Sequence, residues 1–251
     1  MSGHSKWASI KHKKGALDAK RGKIFTKIIK EITVATRIGG GDPDGNPRLR
    51  TAILIAKGQN MPGDNITRAI KKGTGELEGV QYEEVTYEAY GPGGAAIFLE
   101  AMTDNKNRTV SEIRAALGKA GGNLGENGCV AWMFEQKGFI VVKTEAKDED
   151  ELMELAIDAG ADDMKTVDDH YEITTALENF EAVRKSLEDA SIAMETSEVT
   201  RIPANTVSVD EKKGKALLKL MDILDDHDDI QKAYSNFDIS DDVMTAILEG
   251  S

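Results

Sequence analysis

The sequence predicts an α+β multidomain protein: an N-terminal basic three-helix domain followed by two α/β, ferredoxin-like domains, one inserted in the other. Three observations carry that expectation. The chain has 251 residues, and at roughly 150 residues per domain this is more than one compact unit. Its formal charge of −12 is unevenly spread, with 16 Lys or Arg against five acids in residues 1–75 and 16 bases against 39 acids in the remainder. Apolar spacing is helical up to about residue 73 and becomes alternating from Val85 onward.

Residues 1–15 mix Ser2, Gly3, Ser5 and Ser9 with Lys6, Lys11, His12, Lys13 and Lys14, without apolar periodicity, and read as a mobile basic arm. Residues 16–38 read as a helix. On a wheel of about 100° per residue, Ile24, Phe25, Ile28, Ile29, Ile32 and Ala35 share one face, and Lys20, Lys23, Lys27, Lys30 and Arg37 share another. Arg21 falls on the apolar side. The run Gly39-Gly40-Gly41-Asp42-Pro43-Asp44-Gly45 ends this helix. Asn46 caps the next one, with Pro47 at its first position and Leu49, Ala52, Ile53 and Ala56 as its buried stripe. After the break at Met61-Pro62-Gly63, a third short helix from Asp64 buries Ile66, Ala69 and Ile70 and stops at Gly73.

Glycines 73, 75 and 79 mark a linker. Val85, Tyr87 and Ala89 then alternate with polar residues, Gly91-Pro92-Gly93-Gly94 turns the chain, and residues 95–101 are apolar, which predicts a hairpin. A helix over 105–120, a glycine-rich loop over 121–128 and a strand over 129–134 follow. Residues 139–142 (strand), 148–159 (acidic helix), 165–167 and 171–174 (strands), 179–190 (helix) and 193–201 (strand) give the order β-α-β-β-α-β. Residues 206–209, 212–224 and 230–237 add a strand, a helix and a strand. The expected division is 1–79 as a nucleic-acid-binding helical domain, 80–136 plus 204–240 as one α/β domain, 137–203 as the inserted one, and 241–251 as a C-terminal helical tail.

Charge and composition narrow the function. No stretch approaches the roughly 20 apolar residues of a membrane helix, and the basic start lacks the apolar segment of a secretory signal, so a soluble cytosolic protein is expected. One cysteine, Cys129, forms no intramolecular disulfide. A polyanion would be drawn to the first 75 residues and repelled by the rest. Candidate contacts in the arm are Lys6, Trp7, Lys11, His12, Lys13 and Lys14, with Trp7 either stacking on an unpaired base or anchoring the arm. On the helices they are Lys20, Arg21, Lys23, Lys27, Lys30, Arg37, Arg48, Arg50, Lys57, Arg68, Lys71 and Lys72. Lysines suit phosphate, whereas Arg48, Arg50, Arg68, Asn46 and Asn65 have the forked or amide ends that read bases. The second and third helices faintly resemble a helix-turn-helix.

Catalysis and cofactors are not expected. His4 and His12 lack a supporting ligand set, and acids such as Asp225-Asp226-His227-Asp228-Asp229 at a helix end are usually solvated rather than cation-bound. The glycine-rich stretches lack a following Gly-Lys-Ser or Gly-Lys-Thr, no Gly-x-Ser-x-Gly elbow is present, and Cys129 reads as core. The acidic α/β domains would position the basic one or engage a protein partner. A scaffold carrying an incidental basic arm is the alternative of a different class.

The opening Gly3-His4-Ser5-Lys6-Trp7-Ala8-Ser9-Ile10-Lys11-His12-Lys13-Lys14 and Asp18-Ala19-Lys20-Arg21-Gly22-Lys23-Ile24-Phe25-Thr26-Lys27 resemble the YebC/PmpR-type family of probable transcriptional regulatory proteins. So do Asn46-Pro47-Arg48-Leu49-Arg50, Asn60-Met61-Pro62, Ile70-Lys71-Lys72-Gly73, Tyr87-Glu88-Ala89-Tyr90-Gly91-Pro92-Gly93-Gly94 and Thr103-Asp104-Asn105-Lys106-Asn107-Arg108-Thr109. The resemblance implies three domains around a cleft, a cytoplasmic location, and DNA binding with transcriptional control. It also implies a rival role on ribosomal RNA, since mitochondrial relatives activate translation of cytochrome c oxidase and some bacterial relatives are thought to aid elongation at proline-rich stalls.

Overall fold

The computed structural model describes residues 17–240 and 242–245, with side chains from residue 22 onward. It is an α+β multidomain chain in which a basic three-helix unit precedes two α/β units, one inserted in the other.

Helices α1 (Leu17–Gly39), α2 (Pro47–Gly58) and α3 (Gly63–Thr74) form the first unit. Ile28, Ile32 and Ala35 of α1 pack on Leu49, Ala52 and Ala56 of α2 and on Ile66 and Ala69 of α3. Asn46 fixes the first corner: its Oδ1 accepts from Leu49 N at 3.1 Å and its Nδ2 donates to Ala35 O and Gly40 O, each at 2.8 Å. At the other end Gly73 lets α3 approach α1, because a Cβ there would lie 2.6 Å from Thr36 Cβ. Both short helices make their main contacts with α1. The apolar stripe of each short helix is directed at the longer helix, and all three share one core.

The chain continues through β1 (Glu83–Tyr90), β2 (Ala96–Thr103), α4 (Lys106–Ala120), β3 (Asn123–Leu124) and β4 (Phe134–Lys143). Then come α5 (Glu149–Asp158), β5 (Ala161–Val167), β6 (His170–Thr175), α6 (Phe180–Asp189) and β7 (Met194–Pro203). Last are β8 (Val207–Ser208), α7 (Glu211–Asp225), β9 (Ile230–Ser235) and β10 (Phe237–Asp238). One antiparallel sheet has the order β3-β1-β2-β9 and carries α4 and α7 on one face, where Ile113, Leu117, Leu217 and Met221 meet Ile97, Leu99 and Ile230. The other sheet has the order β5-β6-β4-β7. That is the ferredoxin-like order for the run β4-α5-β5-β6-α6-β7, and Leu152, Val183 and Leu187 close its core over Ile140, Val142 and Ile173. Because this run lies between β3 and β8, the chain leaves the first sheet and returns to complete it with β9.

Three segments differ from expectation. Residues 129–133 are a turn with a 3-10 segment at Ala131–Met133, and the strand begins only at Phe134 and runs unbroken to Lys143. The cause is Glu88, whose buried carboxylate takes the N–H groups of Gly128, Val130 and Ala131 at 2.6, 2.6 and 2.8 Å and so removes them from any ladder. The final strand is interrupted at Asn236, whose Oδ1 accepts from Ala96 N at 2.7 Å, and its remainder, β10, pairs in parallel with β8. Of the expected tail, residues 242–245 are helical and the rest lies outside the described residues. Among the described residues no helix is long and apolar enough to cross a membrane.

Candidate nucleic-acid interface

The expected cationic residues fall into three groups. Lys6, Trp7, Lys11, His12, Lys13 and Lys14 lie outside the described residues, as do the side chains of Lys20 and Arg21. A second group faces protein. Lys23 pairs with Asp226 at 3.4 Å, and Lys27 Nζ donates to Asp225 O at 2.6 Å. Lys30 donates to Asp229 Oδ1 at 2.6 Å, Asp228 O at 2.9 Å and Met102 O at 3.3 Å, with its ammonium 5.3 Å from the Tyr82 ring centroid. The wheel places Lys30 on an open basic face; the structure leaves its side chain 6% exposed, because the 225–229 loop covers that face.

Asp229 is the centre of this seam. Its Oδ1 takes Lys30, and its Oδ2 accepts from Arg108 at 2.8 Å, Thr109 at 2.7 Å and Thr103 at 3.2 Å. Burial pushes the carboxyl up, but hydrogen bonds from Arg108, Lys30 and Thr109 outweigh it and hold the group well below the usual carboxylate range. His227 Nδ1 accepts from Asp229 N at 3.0 Å, which leaves Nε2 to carry the proton and donate to Glu112 at 2.9 Å. Glu112, His227 and Asp229 are close enough to share a cation. Their ligand atoms are already engaged with protein partners, and Lys30 and Arg108 beside them oppose a further positive charge.

Arg37 and Arg48 also engage protein, Arg37 while remaining exposed. Arg37 donates to Tyr82 O. Arg48 holds Glu31 through Nε and Nη2 at 2.7 and 3.1 Å and reaches Glu84 at 2.6 Å, linking α1 and α2 to β1. These bonds to Glu31 and then Glu84 raise its guanidinium pKa further, and they leave its fork committed to carboxylates.

The third group stays on the surface. Arg50 is exposed and touches only the carbonyls of Pro43 and Asp44, at 3.3 and 3.4 Å, among the described residues. Lys57 on α2 and Arg68, Lys71 and Lys72 on α3 are exposed and make no ion pair among the described residues. Arg68, Lys71 and Lys72 span about 100° of the outer face of α3, opposite Ile66 and Ala69. Lys71 and Lys72 lie in its last turn, where the helix dipole favours positive charge.

Residues 5–76 match the TACO1/YebC protein N-terminal domain, and residues 82–237 match the TACO1/YebC second and third domain. The chain belongs to the TACO1/YebC family. A relative from Desulfosudis oleivorans, named a probable transcriptional regulatory protein, is 62% identical over 98% of this chain and 100% of its own length. One of the same name from Syntrophobacter fumaroxidans is 61% identical over 98% of this chain and 100% of its own length. A crystal structure of a conserved hypothetical protein from Aquifex aeolicus superposes with a TM-score of 0.80 at 49% identity, covering 89% of this chain and 93% of that one.

Two residues organise this TACO1/YebC chain beyond what sequence reasoning assigned them: Asp229, expected to be a solvated helix-end acid, is buried, and Glu88 was given no role. Both are acids buried by partners far away in sequence: Lys30 lies 199 residues from Asp229, and Val130 lies 42 from Glu88. For Asp229 the available signal was an acidic run in a chain with an oppositely charged helix. For Glu88 it was a lone carboxylate within a strand.

Proposed function

We propose that this chain is a non-enzymatic, cytoplasmic, DNA-binding transcriptional regulator that contacts nucleic acid through its helical domain. The observation that carries the reading is the exposed face of α3 with Arg68, Lys71 and Lys72, unpaired among the described residues in a chain that is otherwise strongly acidic. Residues carrying like charge on one helical face supply phosphate contacts, while the acidic remainder excludes other orientations on a polyanion. The name of the relatives at 61–62% identity supports a regulatory role.

In this reading residues 1–79 bind, and 80–136 with 204–240 and the inserted 137–203 hold the binding unit or meet a protein partner. Lys23, Lys27, Lys30, Arg37 and Arg48 serve first to dock the helical unit. One observation favours ribosomal RNA as the second reading. With the Arg48 fork engaged by Glu31 and Glu84, phosphate and shape contacts are better supplied than base reading.

Crosslinking in growing cells, followed by sequencing of bound DNA and bound RNA, tests both. The control carries Arg68→Glu, Lys71→Glu and Lys72→Glu. Discrete promoter peaks lost in the control are the expected result. Ribosomal RNA peaks with the same loss would select the second reading, and peaks indifferent to the reversal would overturn the assignment to α3.

A further inference from the structure

We propose that the α1 face formed by Lys23, Lys27 and Lys30 is a second binding site for a phosphodiester backbone, closed by the chain's own 225–229 loop standing in for the phosphates. The inference deepens the nucleic-acid reading and rests on it. Its geometry is that of a polyanion laid along a helix. The three lysines recur at i, i+4 and i+7, spanning about 10 Å of helix axis, roughly the axial rise of three phosphate-to-phosphate steps along one strand. Against them the loop sets Asp226 Oδ2, Asp225 O, Asp228 O and Asp229 Oδ1, each between 2.6 and 3.4 Å from a lysine nitrogen.

The seam is also of a kind that a polyanion can open. Among the described residues the apolar cores lie to either side of it. One is built within α1, α2, α3 and Met61, the others wholly within the α/β units. Ionic and polar contacts cross the seam, namely Lys23, Lys27 and Lys30 to the loop, Lys30 to Met102 O, Arg48 to Glu84, and Arg37 to Tyr82 O, and Val34 on the same face of α1 is buried outside the helical core. The exposed Lys23–Asp226 pair is screened by salt and readily exchanged, whereas the buried Lys30–Asp229 pair is screened much less and opens only when another anion takes the carboxylate's place. Removing the loop alone would leave Lys30 and Arg108 without Asp229, so the open state is favourable only when an anion replaces it. A cleft of about 530 Å³ beside the loop carries Lys23, Lys30 and Arg108 but also Asp104, Glu112, Asp226, Asp228 and Asp229, so an anion reaches the lysines there only as the loop's carboxylates withdraw.

The test uses the full chain and a short mixed-sequence DNA duplex. Hydrogen exchange reads the loop directly: the amides of His227, Asp229 and Ile230 are bonded within it, to Leu224 O, His227 Nδ1 and His227 O. Adding duplex should speed their exchange. Affinity is read on Asp226→Asn with Asp228→Asn, two exposed side chains, against Glu154→Gln with Asp158→Asn, exposed acids of α5 that remove the same charge. The loop pair should tighten binding roughly tenfold and the α5 pair less than about twofold. Equal gains from both pairs, with loop exchange unchanged by duplex, would overturn the closed site while leaving α3 as the binding face. Opening of the loop by duplex with undiminished affinity after Arg68→Glu, Lys71→Glu and Lys72→Glu would uphold the α1 site and overturn the α3 reading. No binding by any of these proteins would overturn both.

Discussion

The Lys30 ammonium lies 2.6 Å from Asp229 Oδ1, and the two side chains, 199 residues apart in sequence, are buried together where the helical unit meets the first α/β sheet. Taking two charges from water is costly, and the pair is tolerable because further polar groups engage both: Asp229 Oδ2 accepts from Arg108, Thr103 and Thr109, and Lys30 donates to two carbonyls.

Breaking the pair from one side should therefore cost more than replacing it whole. Asp229→Leu is expected to destabilise the full chain by about 3–5 kcal/mol, since Lys30 then stays buried without its counter-charge. Adding Lys30→Met should recover part of that loss. Urea midpoints of the wild type, both single variants and the double variant give the coupling, and a double variant as unstable as the sum of the singles would contradict it.

The same network fixes a pH dependence. Asp229 has a folded pKa below its ordinary value of 3.8. Its contribution is complete above that ordinary value and is lost as pH falls toward the depressed one, where the unfolded chain binds the proton first. Urea midpoints taken between about pH 6 and pH 2 should fall at the acid end, and the fall should be smaller in Asp229→Asn. Identical acid profiles for the two proteins would contradict this assignment.

Glu88 should behave as the anchor of the turn before β4. Gln keeps the shape but replaces one acceptor oxygen with a donor that faces backbone N–H groups, so Glu88→Gln should cost about 1–3 kcal/mol. Trp132 reports locally, because its exposed indole donates to Cys129 O at 3.2 Å in the same turn. In a Trp7→Phe background its emission should shift in the Glu88→Gln variant, and an unchanged spectrum with unchanged stability would argue against the anchor.

Local periodicity made much of this fold legible. The stripe Ile28, Ile32 and Ala35 and the alternation of Ile140 and Val142 each state which side of an element is buried, and the β-α-β-β-α-β run follows from their order. What periodicity leaves open is the partner of a polar face. The lysine face of α1 looks the same on a wheel whether water or the 225–229 loop covers it. Glu88 looks like an outward strand position although its side of the sheet receives Phe98, Phe134 and Tyr234. Of the candidate site, the exposed cations of α2 and α3 were legible as charge, and the engagement of Lys30, Arg37 and Arg48 by protein groups was not, because their partners lie on other elements.

Gly73 separates the helical unit's packing from its charge. Gly73→Ala places a Cβ 2.6 Å from Thr36 Cβ and 2.7 Å from Thr33 O, so α3 must move away from α1. A loss of about 1–3 kcal/mol is expected, with weakened nucleic-acid binding although no charge has changed. Wild-type stability in this variant, measured by thermal unfolding, would show that the close approach is not required.

The central claim, that α3 presents phosphate contacts, is tested most directly by the salt dependence of duplex DNA affinity for the wild type and for Arg68→Glu, Lys71→Glu, Lys72→Glu. Each phosphate contact contributes a slope of about −0.9 in log affinity against log salt. Weaker binding by the triple variant at low salt and a slope shallower by about two to three are expected. Equal slopes and equal affinities for the two proteins would contradict it.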